Sequence, residues 1–208
     1  MIIFQYKDIM ASSSYLWHYT EFKYLKEILK TQHILPGECN ERYDFLGLES
    51  LSFKEACFTN IDFENNQIHK DKFKGCCIGF ENEWVNEHKI CPMIYCRRNG
   101  QLTDLLKRIL LNDKIDINDR ELLQKFIKPY SDFNSKEYKP NDDEIVDKEH
   151  LRRYDEYEWR YIPEYENDVL KFNTEDIVCI YVDTIEHKIE LQNEFPKYAY
   201  KVKVMKNK

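Results

Sequence analysis

Glycine is scarce in this sequence, at 5 of 208 residues, and long uninterrupted apolar runs are missing. Neither spaced-glycine pattern that binds phosphate groups occurs, which excludes a P-loop ATPase and a doubly wound dinucleotide-binding domain. No apolar run reaches the ~18 residues that a membrane-spanning helix needs. The region after Met1 has no basic stretch followed by a long apolar run. We therefore expect neither a signal peptide nor a membrane partner.

An even set of cysteines and an excess of positive charge are also missing. The seven cysteines lie mostly in apolar runs such as Gly75-Cys-Cys-Ile78, which is typical of buried thiols in a reducing compartment. We therefore expect a cytosolic protein. The formal net charge of −7 disfavours broad binding to nucleic acid, because such binding comes mostly from phosphate neutralisation. Nucleic acid is expected only as a substrate, if at all.

The chain is long enough for one core, and its apolar periodicity alternates between helical and strand patterns. Helices are predicted over residues 20–32, 102–111, 119–127 and 184–195. Short apolar runs between them predict strands. This pattern favours a single α+β domain over residues 15–208, with a mixed sheet flanked by helices, after a leader at residues 1–14. Residues 38–53 show no clean period and are predicted to form a long loop with partial structure. The acidic stretch 131–150 is predicted to be a mobile loop.

The most informative stretch is Tyr157-Glu-Trp-Arg-Tyr161, which ends shortly before Pro163. As a strand it places its aromatic side chains on one face, and Glu156, Glu158 and Arg160 on the other. Two hypotheses follow for the charged face: a catalytic or ligand-binding face centred on Glu158, or a row of cross-strand ion pairs on a solvated face. The stretch alone favours the second.

Two further patterns were weighed as sites. His18 lies where a predicted strand runs into a helix, a position that suits a binding residue, although taken alone it fits a histidine hydrogen-bonded within an aromatic core better. His88, Cys91 and Cys96 have spacings that invite a zinc interpretation. The strand between the two cysteines would place them on opposite faces, so no metal site is predicted.

Several short segments occur in an order that resembles a known family. They are Leu16-Trp-His-Tyr-Thr20, Ala56-Cys-Phe-Thr-Asn-Ile61, Cys77-Ile-Gly-Phe80, Cys91-Pro-Met-Ile-Tyr95 and Glu158-Trp-Arg-Tyr-Ile-Pro163. Their order and spacing resemble the AbiGi-like abortive-infection family, which bacteria encode in phage-resistance systems. The resemblance covers residues 16–163. The family is described as the antitoxin half of a two-gene system, which implies a partner toxin.

The first part also resembles, more distantly, the DarT-like ADP-ribosyltransferases. That resemblance implies a split mixed sheet with NAD in a cleft, held by an early-strand histidine, with a late-strand glutamate as the catalytic residue. Carried over, Glu158 is the catalytic candidate, supported by Glu156 and Arg160. The candidates for NAD binding are His18, Tyr19, Thr20, Arg42, Phe58 and Tyr95.

The chemistry suits these residue types, because cleavage of the nicotinamide–ribose bond builds positive charge on the sugar that a carboxylate stabilises. The first hypothesis is therefore an NAD-dependent transferase that modifies a macromolecular target in phage defence, or that cleaves NAD. The alternative is a non-catalytic, antitoxin-like protein that restrains a partner toxin. In that case Glu158 and Arg160 pair within the sheet. The first hypothesis requires His18 and Glu158 to face one cleft.

Overall fold

The computed structural model describes residues 12–61, 75–130 and 157–205 of the protein. Five α-helices lie within these ranges: α1 (Phe22–Thr31), α2 (Asn82–Glu87), α3 (Gln101–Leu110), α4 (Ile117–Lys125) and α5 (Ile185–Glu194). Two 3-10 helices span Asp44–Leu46 and Pro196–Lys201. None of the helices in the described ranges combines the length and the apolar character that crossing a membrane requires.

Twelve strands accompany these helices in the described ranges. They are β1 (Ser12–Thr20), β2 (His33–Ile34), β3 (Gly37–Glu41), β4 (Leu51–Ile61), β5 (Cys76–Phe80), β6 (Cys91–Pro92), β7 (Ile94–Cys96), β8 (Ile127–Pro129), β9 (Glu158–Tyr161), β10 (Leu170–Lys171), β11 (Ile177–Val182) and β12 (Val202–Val204). The main sheet has eight strands in the order β12-β11-β5-β1-β4-β9-β6, with β3 paired to β4 outside this path. β11 and β12 are parallel, whereas β1, β4, β5 and β9 pair antiparallel. The predicted α+β architecture with a mixed sheet is confirmed.

The larger core lies on one face of the main sheet. Phe58 and Phe80 project from β4 and β5 and contact Trp84 of α2, with Phe80 and Trp84 stacked at 4.1 Å between ring centroids. Helix α1 closes this core because Leu25, Ile28 and Leu29 recur at helical spacing, and all three are buried.

A second core lies around the 3-10 helix Asp44–Leu46, strands β7 and β8 and helix α3. Phe45, Leu106 and Ile127 belong to it. The prediction of a long loop with partial structure over residues 38–53 holds in part. The loop is shorter than expected, because β3 ends at Glu41 and β4 begins at Leu51, and the segment between them contains the 3-10 helix. Most side chains of β3 are polar, so the strand lacks the apolar alternation by which a strand is recognised in a sequence. It is identified by its pairing with β4.

The four predicted helices occur with boundaries within two residues of those expected from periodicity. Strand β1 begins at Ser12, inside the segment predicted to be a leader. Residues 1–11 of that segment, and the predicted loop 131–150, lie outside the described residues.

Candidate functional site

Strand β9 carries the charged and aromatic stretch, and it lies between β4 and β6 in the main sheet. Its alternation is as predicted: Trp159 and Tyr161 pack, partly buried, against the larger core, and Glu158 and Arg160 project from the other face. The charged face is the more deeply buried of the two, with Glu158 6% exposed and Arg160 fully buried. The charges are therefore not on a solvated face.

Arg160 is the centre of a buried group of ion pairs. Its Nε donates to Glu158 Oε1 at 2.5 Å, and its Nη2 donates to Glu41 Oε1 at 2.6 Å. Glu55 Oε2 lies 2.8 Å from Nε, but the single N–H there points to Glu158, so this contact is an ion pair without its own hydrogen bond. Nη1 donates to the carbonyl of Lys125 at 2.8 Å. These contacts match the planar, multi-donor geometry of guanidinium.

Lys128 of β8 supplies the second cation. Its Nζ donates to Glu158 Oε2 and lies 3.6 Å from Glu41 Oε1, and the side chains of all three are about nine-tenths buried. We call the five residues Glu41, Glu55, Lys128, Glu158 and Arg160 the buried charge cluster. The cluster joins β3, β4, β8 and β9, and therefore links the second core to the main sheet.

The cluster keeps its members ionised. Burial alone would raise the pKa of Glu158, but the charges of Lys128 and Arg160, and their hydrogen bonds, lower it to about 2. Burial alone would lower the pKa of Arg160, but the carboxylates of Glu158 and Glu55 raise it above its ordinary value. A carboxylate held in this way is a structural anion rather than a residue poised for proton transfer.

Two thiols border the cluster. Cys57 donates to Glu55 Oε1 at 3.2 Å and lies 3.5 Å from Glu158 Oε1. The Cys57 side chain is exposed at the surface, but desolvation by the surrounding protein and the neighbouring carboxylates raise the pKa of its thiol well above the ordinary value. The same two causes raise the pKa of the half-buried Cys39 thiol to about 12. Both groups are thiols at neutral pH, which does not suit a nucleophile or a metal ligand.

Two sets of side chains have ligand atoms close enough for a metal ion: Cys39, Glu41 and Glu55, and Glu55, Cys57 and Glu158. In both sets the carboxylates already contact Arg160, which would oppose a second cation in the same place.

His18 and Glu158 project from opposite faces of the sheet. Trp17 pairs with Thr59, and Thr59 pairs with Glu158. Directly paired residues of antiparallel strands share a face, so His18, next to Trp17, lies on the other one. Its ring packs against Phe58 in the larger core, with 5.4 Å between ring centroids. The structure therefore does not bring His18 and Glu158 into one cleft.

The imidazole of His18 is engaged in the way a core histidine is. Its Nδ1 lies 2.9 Å from the carbonyl oxygen of Cys57 on the neighbouring strand. Burial lowers the pKa of His18, and the hydrogen bond to Cys57 offsets only part of that effect. The ring is therefore neutral at physiological pH.

The other candidates for NAD binding are divided between the two faces. The hydroxyl of Tyr95 accepts a hydrogen bond from the Glu158 N–H at 3.0 Å, so it lies beside the cluster. Tyr19 and Thr20 are half-buried on β1, and Phe58 is part of the larger core. Arg42, just after β3, is exposed. Glu156 lies outside the described residues.

Sequence inspection missed Glu41, Glu55 and Lys128, which complete the cluster. One signal was available for Lys128, which interrupts the short apolar run Phe126-Ile-Lys-Pro129 at strand β8. A charge in such a position is costly unless it is paired.

One family model matches the chain, over residues 50–203, which is about three quarters of its length. Its description is "Putative abortive phage resistance protein AbiGi, antitoxin". The matched range contains β4 and β9, and the part of the second core that α3, β7 and β8 supply. No curated protein and no solved structure gives a significant match.

Proposed function

The chain belongs to the AbiGi family of abortive phage resistance proteins, and we propose that it acts as an antitoxin. In this proposal it is a non-catalytic protein that binds and restrains a toxin encoded beside it. The family description supports a partner-binding role in phage defence. It does not imply NAD chemistry.

The observation that carries the proposal is the state of Glu158. An NAD-cleaving enzyme needs a carboxylate that reaches the ribose of its substrate. Glu158 is instead buried, and both of its oxygens contact cations of the protein, Oε1 with Arg160 and Oε2 with Lys128. Binding a sugar there would require breaking ion pairs that are shielded from water, which is costly. This arrangement favours a structural role.

The position of His18 supports the same conclusion. The histidine and the glutamate of an NAD site act on one substrate molecule, so they must line the same cleft. Here the sheet separates them, and His18 packs in the core on the far side. We therefore assign the residues that resemble an NAD site a structural role, in a fold that binds a protein, rather than a role in binding NAD.

The test is complex formation between this chain and the product of the neighbouring gene. The two proteins are co-expressed, with a tag on the neighbour, and analysed by size-exclusion chromatography with light scattering. We expect co-elution at a mass that contains both chains. Separate elution of the two folded proteins would overturn the proposal.

A second arm tests the enzymatic alternative on the same purified chain. Nicotinamide release from NAD is measured for the wild type and for Glu158→Gln, at a temperature where circular dichroism shows both to be folded. We expect no release from either. Release by the wild type that Glu158→Gln abolishes would support an ADP-ribosyltransferase and would contradict a purely structural role for Glu158.

A further inference from the structure

The α3–α4 hairpin, defined as residues 101–125, concentrates exposed apolar side chains. Eleven large hydrophobic residues of the described chain are exposed, and five of them fall within this hairpin. They are Leu102 (45% exposed), Leu105 (46%), Leu111 (58%), Ile117 (53%) and Leu122 (48%). Single exposed leucines are ordinary on a protein surface, whereas several on two neighbouring helices make those helices a candidate interaction surface.

Helix α4 strengthens this argument because none of its residues is buried. Its attachments include partial packing of Leu123 on the second core and a hydrogen bond from Arg120 Nη1 to the carbonyl of Leu110 at 3.2 Å. At its last residue, the carbonyl of Lys125 accepts from Arg160 Nη1 at 2.8 Å. A nine-residue helix is too short to be stable in water by itself, since isolated helices shorter than about 12–15 residues are marginal. Its apolar side chains would therefore gain stability from contact with another molecule.

Helix α3 has two apolar stripes, and of these the described part of the chain buries one. Leu106 and Leu110 are buried in the second core. Leu102, Leu105 and Ile109 follow one another at spacings of three and four, which places them on a neighbouring stripe of the same helix. Leu102 and Leu105 are exposed and Ile109 is half-buried. Two packed helices contact each other through apolar residues with this alternating spacing of three and four.

The charge pattern favours a second copy of this chain as the occupant. The whole chain carries a formal charge of −7, so two copies repel each other over most of their surface. The hairpin contains five acidic and five basic residues and is formally neutral. It is therefore a region through which two copies can approach without like-charge repulsion, and its mixed signs allow ion pairs across the contact.

We propose that the α3–α4 hairpin is a homodimer interface, in which α3 packs antiparallel against α3 of a second copy about a two-fold axis. Two-fold symmetry uses the same patch on both copies. With the axis near Leu105, this residue meets its own counterpart, and Leu102 meets Ile109 of the partner. The hairpins would form a four-helix arrangement, a common way to bury such seams. This inference is independent of the proposed antitoxin role.

The test is sedimentation of the full chain over a range of concentrations, for the wild type and for Leu105→Asp. We expect a wild-type dimer, and a dissociation constant raised about thirtyfold or more by Leu105→Asp, because each dimer carries the change twice at its centre. Ile189→Asp is the matched control, because Ile189 lies on α5 and its exposure (53%) is similar to that of Leu105 (46%). This change should leave the dimer unchanged. Circular dichroism checks folding, and Leu105→Ser replaces Leu105→Asp if the aspartate variant fails to fold.

Two results would overturn the inference. The first is a wild-type monomer at every concentration tested; if binding of that monomer to the neighbouring gene's product is lost on changing Leu105, the hairpin is assigned to the toxin instead. The second is a folded Leu105 variant that dimerises as tightly as the wild type.

Discussion

Replacing Glu158 by glutamine tests the structural role of the buried charge cluster. The change keeps the shape of the side chain but removes the negative charge between Lys128 and Arg160. Removing one partner of a buried ion pair costs about 3–5 kcal/mol. The lowered pKa of Glu158 has the same sign, because it means that the folded protein favours the ionised form of this side chain. Arg160 keeps Glu41 and Glu55, so we expect a loss of about 3 kcal/mol in the free energy of unfolding.

The assay is urea denaturation followed by tryptophan fluorescence. Glu190→Gln is the matched control, because Glu190 pairs with Lys26 at 2.7 Å on the surface, where both side chains are substantially exposed. Exposed pairs contribute little, so the control should lose less than about 1 kcal/mol. Equal, small losses for Glu158→Gln and Glu190→Gln would refute the conclusion that the buried cluster stabilises the fold.

Three further predictions concern pH, close packing and helix capping. Folding lowers the pKa of Glu158, so the contribution of its ionised form to stability is complete above about pH 4.5 and disappears as the pH falls towards 2. The difference in unfolding free energy between the wild type and Glu158→Gln should therefore shrink over that range. A constant difference would contradict this prediction. Gly79→Ala should cost about 1–3 kcal/mol in urea denaturation, since an added Cβ would lie 2.6 Å from the Trp17 ring, and unchanged stability would disprove that contact. Thr184→Ala should lower the free energy of unfolding by about 1 kcal/mol, because Thr184 Oγ1 accepts from the His187 N–H at 3.1 Å at the start of α5. Thr184→Ser keeps this acceptor and should lose clearly less. Equal losses for the two variants would rule out the cap.

Local patterns predicted the longer helices of this chain well, but not β3 or the 3-10 helix Pro196–Lys201, which alternation in the sequence suggested was part of the last strand. The alternation in Glu158–Tyr161 correctly separated its charged and aromatic faces, because period two is a property of the strand itself. Which face is buried depends on other strands. Glu41, Glu55 and Lys128 come from three different strands. Only the tertiary arrangement shows that Glu41 and Glu55 pair with the buried Arg160, and that Lys128 pairs with Glu41 and Glu158.

The relation between His18 and Glu158 illustrates the limit of sequence reasoning about the site. Whether two residues on different strands share a face depends on the pairing of every strand between them, and a shift of one residue reverses the answer. Here strand β4 connects them, through the pairs Trp17–Thr59 and Thr59–Glu158. Nothing in the spacing of His18 and Glu158 along the chain contains that information.

The most direct test of the antitoxin role is bacterial growth during expression of the neighbouring gene, with and without this chain. If the chain restrains a toxin, cells that express the neighbour alone should stop growing, and co-expression of the wild-type chain should restore growth. Glu158→Gln should also restore growth at temperatures where it is folded, because the account gives Glu158 no catalytic part. Growth arrest that persists with the folded wild-type chain present would contradict the account.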